Sequence, residues 1–202
     1  MKCTNKQGGF TLVELAIVLV IVGLILGLAF KGRDLIDGAR VKSAQASTNK
    51  IQAAVNVYFE RYNAVPGDGC PTATPANQAA CNGARNGLVD GATEPQAFWQ
   101  QLVTNSTILT ASERNTPFGV QWNVLTSAAA ANSLAGNVSY LIAGPDATTA
   151  SVDVRYVCSL DQQYDDGVRT TGNIRSTGVT YNASTDCWRI SGLATLAVRL
   201  LP

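Results

Sequence analysis

A single apolar segment near the start of the chain limits most strongly what this protein can fold into. Phe10–Phe30 is a run of 21 residues whose one charge is on Glu14. As a helix rising 1.5 Å per residue it is about 31 Å long, which matches a bilayer core of about 30 Å. Lys2 and Lys6 precede it without any acid. The positive-inside rule therefore predicts that residues 1–9 stay in the cytoplasm and that the chain after Lys31 lies across the membrane.

Three kinds of segment have this general form. A secretory signal peptide has an apolar stretch of only about 7–15 residues and a small-residue cleavage site after it. Here the apolar run is longer, contains Glu14, and continues into Lys31-Gly32-Arg33. A plain membrane anchor fits the length but gives no reason for Glu14, because a carboxylate in the membrane is costly unless it finds a partner.

The third kind accounts for Glu14. The string Gly9-Phe10-Thr11-Leu12-Val13-Glu14 closely resembles the cleavage and methylation signature of type IV prepilins and related pseudopilins. The resemblance implies that a membrane peptidase cuts after Gly9, that Phe10 is then N-methylated, and that Glu14 attracts the Phe10 ammonium of a neighbouring subunit. An amine and a carboxylate each cost less in lipid when they are paired.

The resemblance and the residue pattern together predict an α+β fold, in which a long N-terminal membrane-spanning helix packs on an antiparallel β-sheet. We expect a cleaved leader at residues 1–9, a transmembrane and assembly helix at residues 10–30, and a periplasmic or surface-exposed head at residues 31–202. The helix continues as an amphipathic segment to about Tyr62, before the turn at Pro66-Gly67. Its predicted apolar stripe is Ile51, Val55, Tyr58, Phe59 and Tyr62.

Later segments alternate between short apolar runs and turn residues. Glu94–Leu102 is predicted to be a short helix whose apolar face is Phe98, Trp99 and Leu102. Segments rich in β-branched and aromatic residues, separated by Gly, Asp and Asn, are typical of strands. The predicted strands are Val138–Ala143, Val152–Cys158, Gly178–Asn182, Cys187–Ser191 and Leu196–Leu200.

The chain has five cysteines and no C-x-x-C pair, which argues against a zinc or dithiol redox site. Loss of Cys3 with the leader leaves an even number, suited to two disulfides outside the cytoplasm. Short spacing favours Cys70–Cys81 and Cys158–Cys187, one of three possible connectivities. Four reduced, buried thiols are the alternative.

Acidic residues cluster at Asp161, Asp165 and Asp166, just before Gly167. Clustered carboxylates in a loop can bind calcium, and some pseudopilins do so, although Asp-Asp-Gly is also a common solvated turn. Asp68 and Asp90 form a weaker candidate for such a site. Apart from this calcium site we expect no cofactor.

The composition disfavours catalysis and nucleic-acid binding. The chain has no histidine, so the commonest general base and Ser-His or Cys-His pairs are missing. The formal net charge is +1 and no basic run follows the N-terminus, which leaves no electrostatic footprint for nucleic acid. The three tryptophans are predicted to lie in the core rather than to stack on bases.

The resemblance implies a structural subunit of a type IV pilus or pilus-like filament, without catalytic residues. Its partners would be other pilin subunits, the prepilin peptidase and methyltransferase, the inner-membrane assembly machinery and, before assembly, membrane lipid. It would be a single-pass protein of the bacterial inner membrane that moves into a periplasmic or surface filament. The alternatives are a pseudopilin of a type II secretion system and a minor adhesive or DNA-uptake pilin.

Overall fold

A computed structural model of the protein describes residues 9–127 and 134–200. The chain divides into two compact units, residues 1–39 and residues 40–202. The expected leader lies outside the described residues except for Gly9. In chain order, the helices are α1 (Leu12–Tyr62), α2 (Glu94–Trp99) and α3 (Val154–Tyr164), and the strands are β1 (Trp122–Ser127), β2 (Val138–Ala143), β3 (Val152–Asp153), β4 (Ile174–Arg175), β5 (Leu193–Ala194) and β6 (Leu196–Arg199). Short 3₁₀ segments occupy Gln78–Ala80 and Ala111–Arg114, and a π-helical turn at Gln100–Asn105 continues α2.

Helix α1 ends where the sequence predicts, at Tyr62. Asn63 follows with a φ of 50°, and its N–H donates to the Phe59 carbonyl at 2.7 Å. A left-handed residue of this kind commonly ends a helix, and Asn tolerates it better than most residues do. Gly67 then reverses the chain at a φ of 83°, where a Cβ would lie 2.6 Å from the Glu94 carbonyl oxygen.

The buried face of α1 in the second unit differs in part from the predicted stripe. Ile51, Val55 and Tyr58 are buried as expected, but Phe59 is 48% exposed and Tyr62 is 36% exposed. The buried face instead extends toward the N-terminus through the smaller residues Val41, Ala44 and Thr48, and it includes Ala54 between Ile51 and Val55. The predicted stripe is wrong at Phe59 and Tyr62, because small residues at helical spacing, and not these aromatic side chains, form the rest of the buried face.

The predicted antiparallel sheet is present. Its strand order is β1-β2-β6-β4 and every pair is antiparallel, with Trp122 opposite Ala143 and Ile142 opposite Ala197. A separate two-stranded ladder joins β3 and β5. One apolar core combines residues of α1 with the sheet residues Trp122, Val124, Leu141, Leu196 and Val198. The prediction of an α+β fold with a long helix and an antiparallel sheet is therefore confirmed.

Of the five predicted strands, two are confirmed, one is correct only at its first two residues, and two are wrong. The strands at Val138–Ala143 and at Leu196–Arg199 are confirmed. Val152–Cys158 is wrong beyond Asp153, because the chain turns there into α3. The Asp153 side chain accepts a hydrogen bond from the Arg155 N–H at 3.0 Å, which caps the helix. Residues at helical spacing, Val154, Val157 and Cys158, are then fully buried.

The other two wrong predictions, Gly178–Asn182 and Cys187–Ser191, fall in a segment of turns. Gly178 forms only an isolated bridge with Ala194. The Asn182 Oδ1 accepts from the Ser184 N–H at 3.0 Å, and the Asp186 Oδ1 accepts from the Trp188 N–H at 3.2 Å. Local side-chain hydrogen bonds of this kind compete with strand pairing. For that reason neither predicted segment pairs as a strand, although both contain β-branched residues.

Two disulfides and a short helix agree with expectation. Cys70 pairs with Cys81, and Cys158 pairs with Cys187. The first bridge lies beside α2, with Cys81 accepting a hydrogen bond from the Gln101 amide at 3.2 Å. Phe98, Trp99 and Leu102 supply the buried face of α2 and its extension. The second bridge attaches the segment of turns to the buried side of α3.

Candidate processing site and acid cluster

The residues at the expected cleavage point lie just outside α1. The helix begins at Leu12, so Gly9, Phe10 and Thr11 precede its first residue. Phe10 is 84% exposed, and Gly9 has no heavy atom within 4 Å of the position that a Cβ would occupy. A peptidase must bind its substrate in an accessible, non-helical form, and the Gly9–Phe10 bond meets both conditions.

Thr11 and Glu14 form a reciprocal cap on the start of α1. The Thr11 N–H and the Thr11 hydroxyl both donate to Glu14 Oε2, each at 2.8 Å. The Glu14 N–H in turn donates to the Thr11 hydroxyl oxygen at 3.3 Å. This is a capping box, in which an N-cap Thr and a Glu three residues later satisfy each other's backbone donors.

The capping box gives Glu14 a role that the sequence reading missed. The plain-anchor interpretation left Glu14 without any reason, whereas in the structure its carboxylate stabilises the start of its own helix. The signal was available, because Thr-x-x-Glu before an apolar run is a sequence mark of a helix start. The cap also fixes where the carboxylate lies, four residues after the residue that cleavage would make N-terminal.

Helix α1 is the one helix in the described parts of the chain that is long and apolar enough to cross a membrane. Its most apolar window has a mean hydropathy of 2.9, and none of that window is buried. Across residues 9–29 and 31–39, no side chain is buried. The first unit therefore presents an exposed apolar surface over these residues.

Comparison with known families identifies this segment. Residues 4–30 match the family model described as the prokaryotic N-terminal methylation motif. The chain carries a prepilin-type methylation motif. The match includes Gly9, Phe10 and Glu14, so the resemblance on which the sequence reading depends is confirmed over this segment.

One solved structure is similar to most of the chain. No curated protein matches the chain. Among solved structures, the major type IV pilin PilA1 from Clostridium difficile is similar with a TM-score of 0.44 and 13% identity, over 83% of this chain and 98% of that one. A similarity of this size supports no conclusion about function.

The three acids predicted to be a calcium site do come together at the end of α3. Single carboxylate oxygens of Asp161, Asp165 and Asp166 all lie within 4.8 Å of one another. Asp161 is fully buried, whereas Asp166 is exposed. The fold thus brings the three acids together, as the sequence predicts. The structure adds that Asp161 lies inside the protein and Asp166 at its surface.

Each of these carboxylates already accepts hydrogen bonds from the loop that follows. Asp161 accepts from the Gly167 N–H at 3.0 Å and from the Tyr181 hydroxyl at 2.9 Å. Asp165 Oδ2 accepts from two backbone N–H groups, those of Asn173 and Ile174. Asp166 accepts from the Thr171 hydroxyl at 2.5 Å. The acids therefore organise the loop through its own donors, and calcium binding stays a prediction.

Burial sets the protonation of the innermost acid. It raises the pKa of Asp161 to about 6, against the opposing effect of its hydrogen bonds from Tyr181 and Gly167. The hydrogen bond from Thr171 instead lowers the pKa of Asp166.

The second candidate calcium site, Asp68 and Asp90, also accepts hydrogen bonds from residues of its own loop. Asp68 is buried and accepts from the N–H groups of Asn86 at 3.2 Å and Gly87 at 2.9 Å. Asp90 accepts from the Asn86 amide at 2.9 Å. These contacts close the loop that the Cys70–Cys81 disulfide begins.

The tryptophans divide between the core and the surface. Trp99 and Trp122 are buried as predicted, but Trp188 is 45% exposed, so the core assignment is wrong for it. Trp188 lies edge-on to Tyr156 with ring centroids 6.1 Å apart. The Arg40 guanidinium lies over the same tyrosine ring at 5.8 Å. The sequence reading missed this arginine because it lies far from the aromatic residues along the chain.

Proposed function

We propose that this protein is a prepilin, a structural filament subunit that is cut between Gly9 and Phe10 and then assembles through its N-terminal helix. The observation that carries the proposal is the methylation motif at residues 4–30, which runs directly into an apolar helix long enough to span a membrane. The role is structural rather than catalytic. The absence of histidine from the sequence agrees with this assignment.

The first step is insertion with the leader inside. Lys2 and Lys6 hold the N-terminus on the cytoplasmic side, and residues 10–30 span the bilayer. Residues 31–202 then lie across the inner membrane, where disulfides persist. Both disulfides, Cys70–Cys81 and Cys158–Cys187, lie in that part of the chain.

The second step is processing by a prepilin peptidase and methyltransferase. The bond after Gly9 is accessible and precedes the helix, and glycine leaves room for close approach of the enzyme's backbone. Cleavage converts the Phe10 amide nitrogen into a free ammonium. N-methylation then keeps that charge while changing its hydrogen-bonding capacity.

The third step is assembly of processed subunits by the inner-membrane machinery. In lipid, the Phe10 ammonium of one subunit and the Glu14 carboxylate of another each lower the cost of burying the other. The Thr11 cap holds the Glu14 carboxylate at the start of the helix before this partner arrives. Apolar helices leave the lipid and pack against one another, and Glu14 helps to set their register.

Matched glycine variants test this proposal. Gly9→Val places a branched side chain at the cleaved bond, whereas Gly8→Val adds the same side chain one residue away. In cells with an active prepilin peptidase, we expect Gly9→Val to remain at its precursor mass in the membrane and Gly8→Val to be shortened. Processing of Gly9→Val to the same mature mass would contradict the assignment of the cleaved bond.

The location of the mature chain distinguishes a pilus from a secretion pseudopilin, which carries the same N-terminal signature. We propose the pilus, with the mature chain in fibres sheared from the cell surface. Retention in the envelope, with loss of protein secretion when the chain is deleted, would assign it instead to a type II secretion system. Salt-dependent retention of DNA by the fibres would indicate a DNA-uptake pilin.

A further inference from the structure

The connectivity of the two disulfides carries an inference about how the second unit is made. Cys70 pairs with Cys81 and Cys158 pairs with Cys187, with sequence separations of 11 and 29. Each bond thus joins two cysteines that follow one another directly in the order of cysteines along the chain. The two loops neither overlap nor enclose one another, so each can close without waiting for the other.

All four cysteines of these bonds are buried in the folded second unit. Cys81 and Cys158 have no exposed surface, and Cys70 and Cys187 are 3% and 4% exposed. The first bridge forms an apolar cluster with Ala97 of α2, and the second belongs to the main core. Thiol–disulfide exchange requires that a thiolate reach the sulfur that it attacks. An oxidant therefore cannot reach these sulfurs once α2 and α3 are packed.

Chain entropy favours the observed pairs over the alternatives. The shortest loop that mixes the two bonds joins Cys81 to Cys158, which are 77 positions apart. The effective concentration of one thiol at another falls with about the −3/2 power of loop length. In an unfolded chain, the loop from Cys70 to Cys81 should therefore close about 20-fold more readily than this mixed loop. The loop from Cys158 to Cys187 should close about fourfold more readily than it.

We infer that both disulfides form directly between neighbouring cysteines while the second unit is unpacked, so that no disulfide isomerisation is needed. The reaction that precedes packing is oxidation of dithiols by a disulfide-bearing oxidant. One cysteine thiolate attacks the oxidant disulfide, forms a mixed disulfide and releases one oxidant thiol. The second cysteine thiolate attacks the mixed disulfide and releases the other oxidant thiol. Two electrons thus pass to the oxidant, and two protons leave the cysteines.

The place of this reaction in the cell rests on the proposed function. Disulfides form outside the cytoplasm, and the proposed topology holds residues 1–9, including Cys3, on the cytoplasmic side. The oxidant then meets four cysteines, whose native pairs are the two that loop entropy favours. The pairing itself depends only on the second unit, so it can be tested apart from processing and filament assembly.

The pairing is tested with the full chain carrying Cys3→Ser, so that the leader thiol cannot react in detergent. The chain is reduced, unfolded in guanidinium chloride and oxidised with oxidised glutathione alone. N-ethylmaleimide blocks free thiols at successive times, and mass spectrometry of peptides identifies each bond. We expect the native bonds Cys70–Cys81 and Cys158–Cys187 to exceed Cys81–Cys158 by about 20-fold and about fourfold among the first bonds formed. A first population that is mostly non-native, and becomes native only when reduced glutathione is added, overturns the inference.

Matched double variants show whether the two loops close independently. Replacing Cys70 and Cys81 by Ala leaves only the longer loop, and replacing Cys158 and Cys187 by Ala leaves only the shorter one. Each remaining bond should form at the rate seen in the chain with all four cysteines. A rate that changes several-fold in either double variant contradicts direct pairing, because closure of one loop then depends on the other.

Access to the sulfurs tests whether oxidation must come before packing. The folded, oxidised chain in detergent is treated with dithiothreitol, with and without a denaturing concentration of guanidinium chloride. We expect reduction of the folded chain to be at least about a hundredfold slower, because a thiol reaches the buried sulfurs only when the unit opens. Reduction that is equally fast with and without denaturant shows that the packed unit admits a thiol, and it overturns this order of events.

Discussion

The two units of this chain share one helix but place it in different environments. In residues 9–29 and 31–39 no side chain is buried, although the sequence there is the most apolar of the chain. In residues 40–62 of the same helix, Val41, Ala44, Ile51 and Tyr58 are fully buried within the protein. The exposed apolar part agrees with the proposal that this segment lies in lipid before assembly and against neighbouring helices afterwards. The second part instead packs in the apolar core that it shares with the sheet.

The largest expected effect comes from removing the central side chain of the second unit. Trp122 is fully buried and its indole N–H donates to the Ser47 hydroxyl at 2.9 Å. Trp122→Ala should lower the free energy of unfolding of the second unit by about 3–5 kcal/mol. The measurement is denaturant unfolding of the full chain in detergent, followed by near-UV circular dichroism.

Leu19→Ala is the matched variant in the first unit. It also removes a large apolar side chain, but Leu19 is exposed, so the second unit should change by less than about 0.5 kcal/mol. An equal loss in both variants would break the comparison between the two units.

The disulfides give the next largest effect, again confined to the second unit. Replacing both Cys158 and Cys187 by Ala opens a loop with a sequence separation of 29, against 11 for Cys70 and Cys81. Loop entropy predicts losses of about 3.6 and about 2.8 kcal/mol in unfolding free energy. Thermal unfolding of the two double alanine variants, one for each disulfide, measures which loss of stability is larger. A larger loss for the shorter loop would show that native packing outweighs loop entropy.

Glu14→Ala should reduce assembly, and it also removes the capping contact with Thr11 at the start of α1. Loss of the carboxylate leaves the Phe10 ammonium of the neighbouring subunit without a counter-charge in lipid, which should reduce the yield of sheared filaments by at least about tenfold while the second unit melts unchanged. Glu60→Ala is the control, because Glu60 is an exposed acid on the same helix within the second unit. Normal filament yield from Glu14→Ala would show that the capping contact with Thr11 is the only role of Glu14.

The smallest effect concerns pH. Burial raises the pKa of Asp161 to about 6 in the folded protein, above its ordinary value near 3.8. The folded state therefore binds this proton more tightly than the unfolded state does, so its contribution to stability grows as pH falls from about 6 to about 4. Relative to Asp161→Asn, the unchanged protein should gain on the order of 1 kcal/mol over that window. Parallel pH profiles of unfolding free energy would contradict the raised pKa.

The sequence predicted the features that depend on long or strongly patterned segments. The extent of α1, the strands at β2 and β6 and both disulfides follow from apolar periodicity and cysteine spacing. α3 was missed because its two valines, Val154 and Val157, favour a strand, while the decisive Asp153 cap is a single residue. β1 was missed because Asn123 and Thr126 interrupt its apolar pattern.

The candidate site was predictable in its residues but not in its geometry. Gly9, Phe10 and Glu14 were identified from the motif alone, yet the Thr11 contact with Glu14 was not. The cluster of acids near Gly167 was visible in the sequence. The groups that donate hydrogen bonds to these carboxylates were not, because some lie far along the chain, such as the Tyr181 hydroxyl, 20 positions after Asp161. Partners at that distance depend on the tertiary fold and leave no local signal.

Mass spectrometry of the N-terminal peptide, isolated from membranes and from sheared fibres, tests the central claim most directly. We predict a mature chain that begins at N-methylated Phe10 and lacks residues 1–9, recovered in the fibre fraction. A chain that still begins at Met1, in cells with an active prepilin peptidase, would contradict the account and leave α1 as a simple membrane anchor.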